Sequence, residues 1–137
     1  MKDFVLDCSV AISWILPDEY SDYAERILTL LDKQQAVVPS IWYLEIANVL
    51  IVSERRGRMT QAQTKQALSL LKSLDIVMDK ETEIKAFNAT LKLGREQNLA
   101  SYDAAYLELA IRLGISVATS DHKLTTAANQ CSVTLIS

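Results

Sequence analysis

Histidine occurs once in this 137-residue chain and cysteine only twice, at Cys8 and Cys131, near opposite ends. Neither cysteine sits in a CxxC pair or at any metal-ligand spacing. A zinc site draws on clustered thiols and imidazoles, so this chain is a poor fit for one. The two thiols read instead as small buried side chains in a reducing compartment. Long apolar runs are missing as well. The longest, Ile41 to Val52, covers 12 residues and carries Glu45 and Asn48, too short and too polar to span a bilayer. Met1-Lys2-Asp3 leads into only a short apolar run before Asp7. No signal peptide is expected there, and the expected setting is soluble and cytoplasmic, away from membranes. Three glycines and two prolines leave no repeat, linker or low-complexity tract, so a single domain over residues 1–137 is expected.

Half of the residues are hydrophobic and under a quarter are charged, the balance of a globular chain. A chain of this size buries about two thirds of its unfolded surface, enough for a core without staples. The net charge of -3 argues against a general nucleic-acid binder. Four carboxylates set aside as a cation site would leave the remainder at one net positive charge. An acidic total therefore does not exclude a phosphate substrate reached through a bound cation.

What is present begins with Phe4-Val5-Leu6-Asp7-Cys8-Ser9. Three apolar residues run straight into a carboxylate, as in a strand buried on both faces. A helical pattern follows at once and stops at Pro17. Asp7 then falls at the carboxyl end of a buried strand, where open α/β sheets keep their ligand sites. Tyr20 to Leu31 reads as a helix, with apolar residues at three- and four-residue steps. Ala36-Val37-Val38 is a strand ended by Pro39, with Ser40 a candidate cap. Ile41 to Arg56 is a helix, apolar nearly all round to Val52 and therefore expected to be buried. Gly57 sits where a left-handed cap belongs, and Thr60 starts a helix through about Leu74. A strand over Asp75–Met78 and a long helix over about Lys80–Gln97 follow, ended by Asn98. Ser101 is expected to cap a helix over Tyr102–Leu113, which Gly114 ends. Ile115 to Ala118 is a fourth strand, Leu124 to Asn129 a short helix, and Val133 to Ile136 a fifth strand. The alternation predicts an α/β three-layer domain with a five-stranded, mostly parallel sheet flanked by helices.

Four carboxylates stand out against this frame. Asp7 and Asp121 follow strands one and four, whose carboxyl ends share one edge of a parallel sheet. Glu45 and Asn48 share a face of the apolar helix, and a buried carboxylate is costly unless paired or bound to a cation. Asp103 lies in the first turn of its helix. Each has a plainer role open to it. Asp7 and Asp121 suit helix caps, Asp103 complements a helix dipole, and Glu45 fits an edge position bonded to a backbone N–H or an arginine. Gathered together, four like charges would raise one another's pKa values, and a hard divalent cation such as Mg2+ or Mn2+ would relieve the repulsion.

Four segments carry a resemblance: Val5-Leu6-Asp7-Cys8-Ser9-Val10-Ala11, Pro39 through Leu50 with Glu45 and Asn48 inside it, Ser101-Tyr102-Asp103-Ala104-Ala105-Tyr106-Leu107, and Ala118-Thr119-Ser120-Asp121-His122-Lys123-Leu124. In this order and spacing the chain resembles the PIN-domain ribonucleases, and most of all the VapC-type toxins of toxin–antitoxin pairs. Cys8 stands where the family more often has Ala or Thr. The resemblance implies strand order 3-2-1-4-5 and a Mg2+-dependent endoribonuclease, with Mn2+ able to substitute. It implies Asp7, Glu45, Asp103 and Asp121 as the acidic residues, the three aspartates as direct ligands and Glu45 holding a second ion or orienting water. Ser9, Asn48, Ser101 and Ser120 would give polar support. Hydrolysis by in-line attack of water would leave a 5′-phosphate and a 3′-hydroxyl. The implied partners are an RNA substrate, a cognate antitoxin and a second copy of the chain in a homodimer. Apolar residues at Trp14-Ile15-Leu16 and along Tyr20 to Leu31 are the expected partner surfaces. An RNA-processing PIN nuclease without an antitoxin, and a PIN-like binding module without catalysis, are the alternatives.

Arg55, Arg56 and Arg58 read first as solvated complements to a helix end and second as contacts to an RNA backbone. His122 reads as a surface histidine despite standing beside Asp121.

Overall fold

The computed structural model describes residues 3–137. Its centre is a four-stranded parallel sheet in the order β3-β2-β1-β4, formed by β1 (Phe4–Leu6), β2 (Ala36–Val38), β3 (Ile76–Met78) and β4 (Ser116–Ala118). β1 lies between β2 and β4, with Phe4 opposite both Ala36 and Ser116. All three of its residues are fully buried, as an unbroken apolar run between two helical layers requires. The Asp7 N–H donates to the Ala118 carbonyl at 3.0 Å, which aligns the ends of β1 and β4.

The crossovers are helical. α1 (Cys8–Ile15) leaves β1 directly and stops before Pro17. α2 (Asp22–Leu30) is capped by Ser21, whose hydroxyl accepts the Ala24 N–H at 3.2 Å. α3 (Ile41–Arg55) follows β2 and gives way to Gly57 in the left-handed region. α4 (Gln61–Ser73) opens on a capping box between Thr60 and Gln63. After β3 come α5 (Thr82–Lys85), a π-helical stretch (Ala86–Thr90) and α6 (Leu91–Gln97), ended by left-handed Asn98. α7 (Ser101–Leu113) ends at left-handed Gly114, and α8 (His122–Gln130) follows β4.

The structure corrects several expectations. There is no fifth strand among the described residues. The chain does return beside β4, but it pairs through a single parallel bridge, Val117 with Leu135. The Val133 N–H donates instead to the Ala128 carbonyl at the end of α8, so no ladder forms before Thr134. α3 is buried on one face only, through Trp42, Ile46, Leu50 and Ser53, while Leu44 stands 68% exposed. An apolar circumference thus served one core face and one uncovered face. The long helix begins at Thr82 rather than Lys80. The Thr82 hydroxyl donates to Asp79 at 3.2 Å and accepts the Ser40 N–H at 3.1 Å, fixing the start. The π turn then shifts the helical phase, burying Thr90 and leaving Phe87 91% exposed.

The expected partner surface is partly drawn into the core. Ile15 and Leu16 are core residues, the Trp14 indole N–H donates to the Ala24 carbonyl at 2.7 Å, and the Tyr23 hydroxyl donates to the Ile136 carbonyl at 2.7 Å. Tyr20 stays 69% exposed, and further uncovered apolar side chains lie on α3, along the β3 edge and at Ile84, Phe87 and Leu91. Among the described residues no helix is long and apolar enough to cross a membrane.

Candidate active site

Asp7 is the best-anchored of the four carboxylates. It ends β1 and is only 4% exposed. Two hydroxyls converge on its Oδ2, donated by Ser9 at 2.6 Å and by Thr119 at 2.7 Å. Each hydroxyl also accepts a backbone N–H from the loop after β4. Ser9 takes that of Ser120 and Thr119 that of Asp121, both at 3.0 Å. A cross-braced loop therefore holds Asp7 with one oxygen saturated. Burial pushes the Asp7 carboxyl above its ordinary pKa and the Asp121 charge adds to this, while the Ser9 and Thr119 hydrogen bonds pull the other way.

Asp121 is the N-cap of α8. Its Oδ2 accepts the Leu124 N–H at 2.9 Å, so the capping role open to it in the sequence is realised by one oxygen. Asp103 sits in the first turn of α7, yet among the described residues it accepts no hydrogen bond from a capping N–H. Burial raises its pKa, the charges of Asp121 and Asp7 raise it further, and Lys123 offsets part of the rise. Glu45 lies on α3 and accepts a hydrogen bond from the Tyr106 hydroxyl at 2.6 Å. Burial again raises its pKa most, Tyr106 opposes this, and Asp7 and Asp103 push it up. The chain thus brings Glu45 and Asp103 within reach of the Asp7 charge, and Asp7 and Asp103 within reach of the Asp121 charge.

The supporting polar residues divide. Ser9 braces Asp7 directly. Asn48 is exposed on α3 and shares a hollow of about 390 Å³ with Glu45, Cys8 and Tyr102. Ser120 contributes its backbone N–H rather than its hydroxyl. Ser101 does not cap α7, since Ala100 holds that place and Ser101 is the first helical residue, without a side-chain cap bond. It is exposed and lines a separate hollow with Ser40, Thr82 and Tyr102. Two further polar residues, Thr119 and Tyr106, have hydrogen bonds to the carboxylates that the sequence did not single out. Thr119 stands two residues before Asp121, and that adjacency was its one signal.

Residues outside the group stay outside. Arg58 pairs with Asp18 at 2.7 Å and with Glu19 at 3.4 Å, on the exposed surface. His122 is exposed and lines a polar hollow with Gln97, Asn98 and Lys123. A larger hollow of about 510 Å³ between α3 and α4, walled by Trp42, Leu50, Leu68 and Leu71, contains none of the four carboxylates.

The donor set suits a hard cation in a particular way. All four groups offer oxygen, and their proximity penalises the bare anions. Among the described residues, however, no three side chains close around a single point as a preformed cage. Mg2+ needs no such cage, since it binds through one or two carboxylates and retains several waters.

Comparison with known proteins bears on the family and the fold. The PIN domain profile matches residues 4–130. Ribonuclease VapC3 of Pyrobaculum aerophilum is 31% identical over 124 residues, covering 88% of this chain and 90% of that protein. Among solved structures, VapBC2 from Rickettsia felis bound to a DNA fragment from their promoter superposes with a TM-score of 0.67 at 15% identity, over 99% of this chain and 98% of that one. A toxin–antitoxin complex from Klebsiella pneumoniae gives 0.62 at 15% identity, over 98% and 96%. At that identity the two structures speak for the fold.

Proposed function

The chain belongs to the PIN-domain family, and on that premise we propose that it is a Mg2+-dependent endoribonuclease, the toxin of a toxin–antitoxin pair. The observation that carries this reading is the convergence of carboxylates at the carboxyl edge of a parallel sheet: Thr119 bonds Asp7 and the Asp121 backbone together, the charges of Asp121 and Asp7 bear on Asp103, and those of Asp7 and Asp103 bear on Glu45. The ribonuclease relative supports the substrate class.

In this reading Asp7, Asp103 and Asp121 would hold the ion, one or two of them directly and the remainder through its retained waters. When bound, a divalent ion lowers the pKa of a water and neutralises charge on the scissile phosphate. Asp7 offers its Oδ1, because Oδ2 is taken by Ser9 and Thr119. Asp121 likewise offers the oxygen not spent on Leu124. Glu45 orients the attacking water or holds a second ion. Lys123, whose charge reaches Asp103, sits where it would draw in the RNA backbone.

An antitoxin and a second copy of the chain are the proposed partners. The uncovered apolar side chains and the groove between α3 and α4 are surfaces that such partners could cover. Light scattering of the purified chain should give twice 15.3 kDa, and a monomer at micromolar concentration would remove the dimer.

The activity is tested on total cellular RNA with Mg2+, with Mn2+ and with EDTA. Discrete fragments bearing 5′-phosphates, formed only with metal, are expected. Cleavage that persists in EDTA would overturn the proposal.

A further inference from the structure

Tyr106 is fully buried in α7, one turn beyond Asp103, and it is the largest of the fully buried side chains. Its hydroxyl reaches across to α3 and donates to Glu45 Oε1 at 2.6 Å, joining residues 61 apart in sequence. A phenol ordinarily ionises at about pH 10, so at neutral pH its hydroxyl is the donor in this bond. A neutral phenol beside a carboxylate is a permanent donor, and a charge-assisted O–H···O bond of this length is among the stronger kinds. Glu45 is half-buried, beside the exposed face of α3 that carries Leu44 and Asn48, and the Tyr106 bond fixes one of its oxygens on the inner side.

We propose that Tyr106 is a positioning residue for Glu45. It ties Oε1 to α7 and leaves Oε2 as the oxygen available to the acidic group. Two consequences follow from the connectivity. The Glu45 carboxylate, carried by α3, is thereby tied to α7, the helix that carries Asp103. Glu45 also acts through one oxygen, as an orienting group or a single-oxygen ligand. A bidentate clamp would have to give up the tyrosine. Outer partners of this kind typically change metal affinity by about 10–100-fold when removed.

This inference rests on the metal-dependent reading above, and its test separates the two. Mn2+ binding is measured by calorimetry, without RNA, on the wild type, Tyr106→Phe, Glu45→Gln and the double variant, each checked for fold by circular dichroism. Tyr106→Phe should weaken Mn2+ by about tenfold. In the Glu45→Gln background the same change should add little, because the group that Tyr106 positions is already altered. A buried tyrosine with only a packing role would move the melting temperature and leave the Mn2+ affinity alone. Wild-type affinity in Tyr106→Phe, or a tenfold loss repeated in full on Glu45→Gln, overturns the positioning role. A wild type that binds no Mn2+ overturns the metal reading itself. Should Tyr106→Phe fail to fold, a structure of the wild type with Mn2+ decides. Glu45 Oε1 should remain on Tyr106, and a Glu45 that leaves Tyr106 to grip the ion with both oxygens contradicts the proposal.

Discussion

Asp7 shows what a single residue does in this fold. Three apolar neighbours bury it, and a buried carboxylate must be compensated. Two hydroxyls do this on one oxygen only. The apolar run ending in Asp7 was legible in the sequence. Thr119 was not, because a threonine after a strand looks like any other until the sheet brings it to a partner 112 residues away. Thr119→Val keeps the shape and removes both the donor to Asp7 and the acceptor for the Asp121 N–H. It should cost about 1.5–3 kcal/mol in urea unfolding, the range for a hydrogen bond to a charged group. A loss below about 0.5 kcal/mol would mean that water replaces the hydroxyl. Asp103 offers the complementary case. It accepts no capping bond, and the Asp7 and Asp121 charges disfavour its ionised form. Asp103→Asn should therefore raise the melting temperature of the metal-free protein or leave it unchanged. A clear drop would restore the helix-dipole role.

At the scale of elements, the connection between β3 and α7 carries a charged lock. Arg112 donates to Asp79 at 2.8 Å and to Glu108 at 2.9 Å, with all three side chains largely out of solvent, and reaches Glu81 at 3.3 Å. Burial pushes the Asp79 pKa up, but the Arg112 guanidinium outweighs it and holds the carboxyl below its usual range. Arg112→Met keeps the packing stem and strands the buried Glu108 and the part-buried Asp79, so a loss of about 3 kcal/mol, the low end for a broken buried pair, is expected in chemical denaturation. Retention of wild-type stability would show the network to be replaceable. The same region explains where element boundaries escaped the sequence. Thr82 starts α5 because it bonds to Asp79 and Ser40, contacts that span strand, loop and helix. The π turn at Ala86–Thr90 leaves no mark in apolar spacing. Gly57, Asn98 and Gly114 were readable as ends because left-handed backbone selects those residue types locally.

For the whole molecule, the shared edge of the strand ends follows from parallel connectivity, whereas the strand order was implied by the family resemblance. Three apolar residues were enough to mark β1 and β2 as strands. The last segment has apolar residues too, but backbone bonding at the end of α8 limits it to one bridge. Composition alone could not tell a buried α3 from one that keeps an apolar face uncovered. The acidic edge also sets the pH response. The folded-state pKa values of Asp7, Glu45 and Asp103 lie above their ordinary values, so the folded state takes up protons before the unfolded chain does. Their penalty is full at neutral pH and fades as pH falls through the raised values toward the ordinary ones near 4. Asp79 works in the opposite sense, and its contribution is lost only at still lower pH. The metal-free protein should melt higher in mild acid than at neutral pH, and saturating Mg2+ should flatten that slope. A melting temperature that falls steadily from pH 7 to 5 would contradict the coupled-carboxylate account.

The measurement closest to the central claim is single-turnover cleavage of a responsive RNA by the wild type, Asp7→Asn and Asp103→Asn, each shown to be folded, across a Mg2+ titration. The account predicts that both variants retain the fold and lose cleavage by at least about a hundredfold at every Mg2+ concentration, since a divalent ion supplies several kcal/mol to such a reaction. Wild-type rates in both folded variants would place the chemistry somewhere other than the carboxyl edge of this sheet.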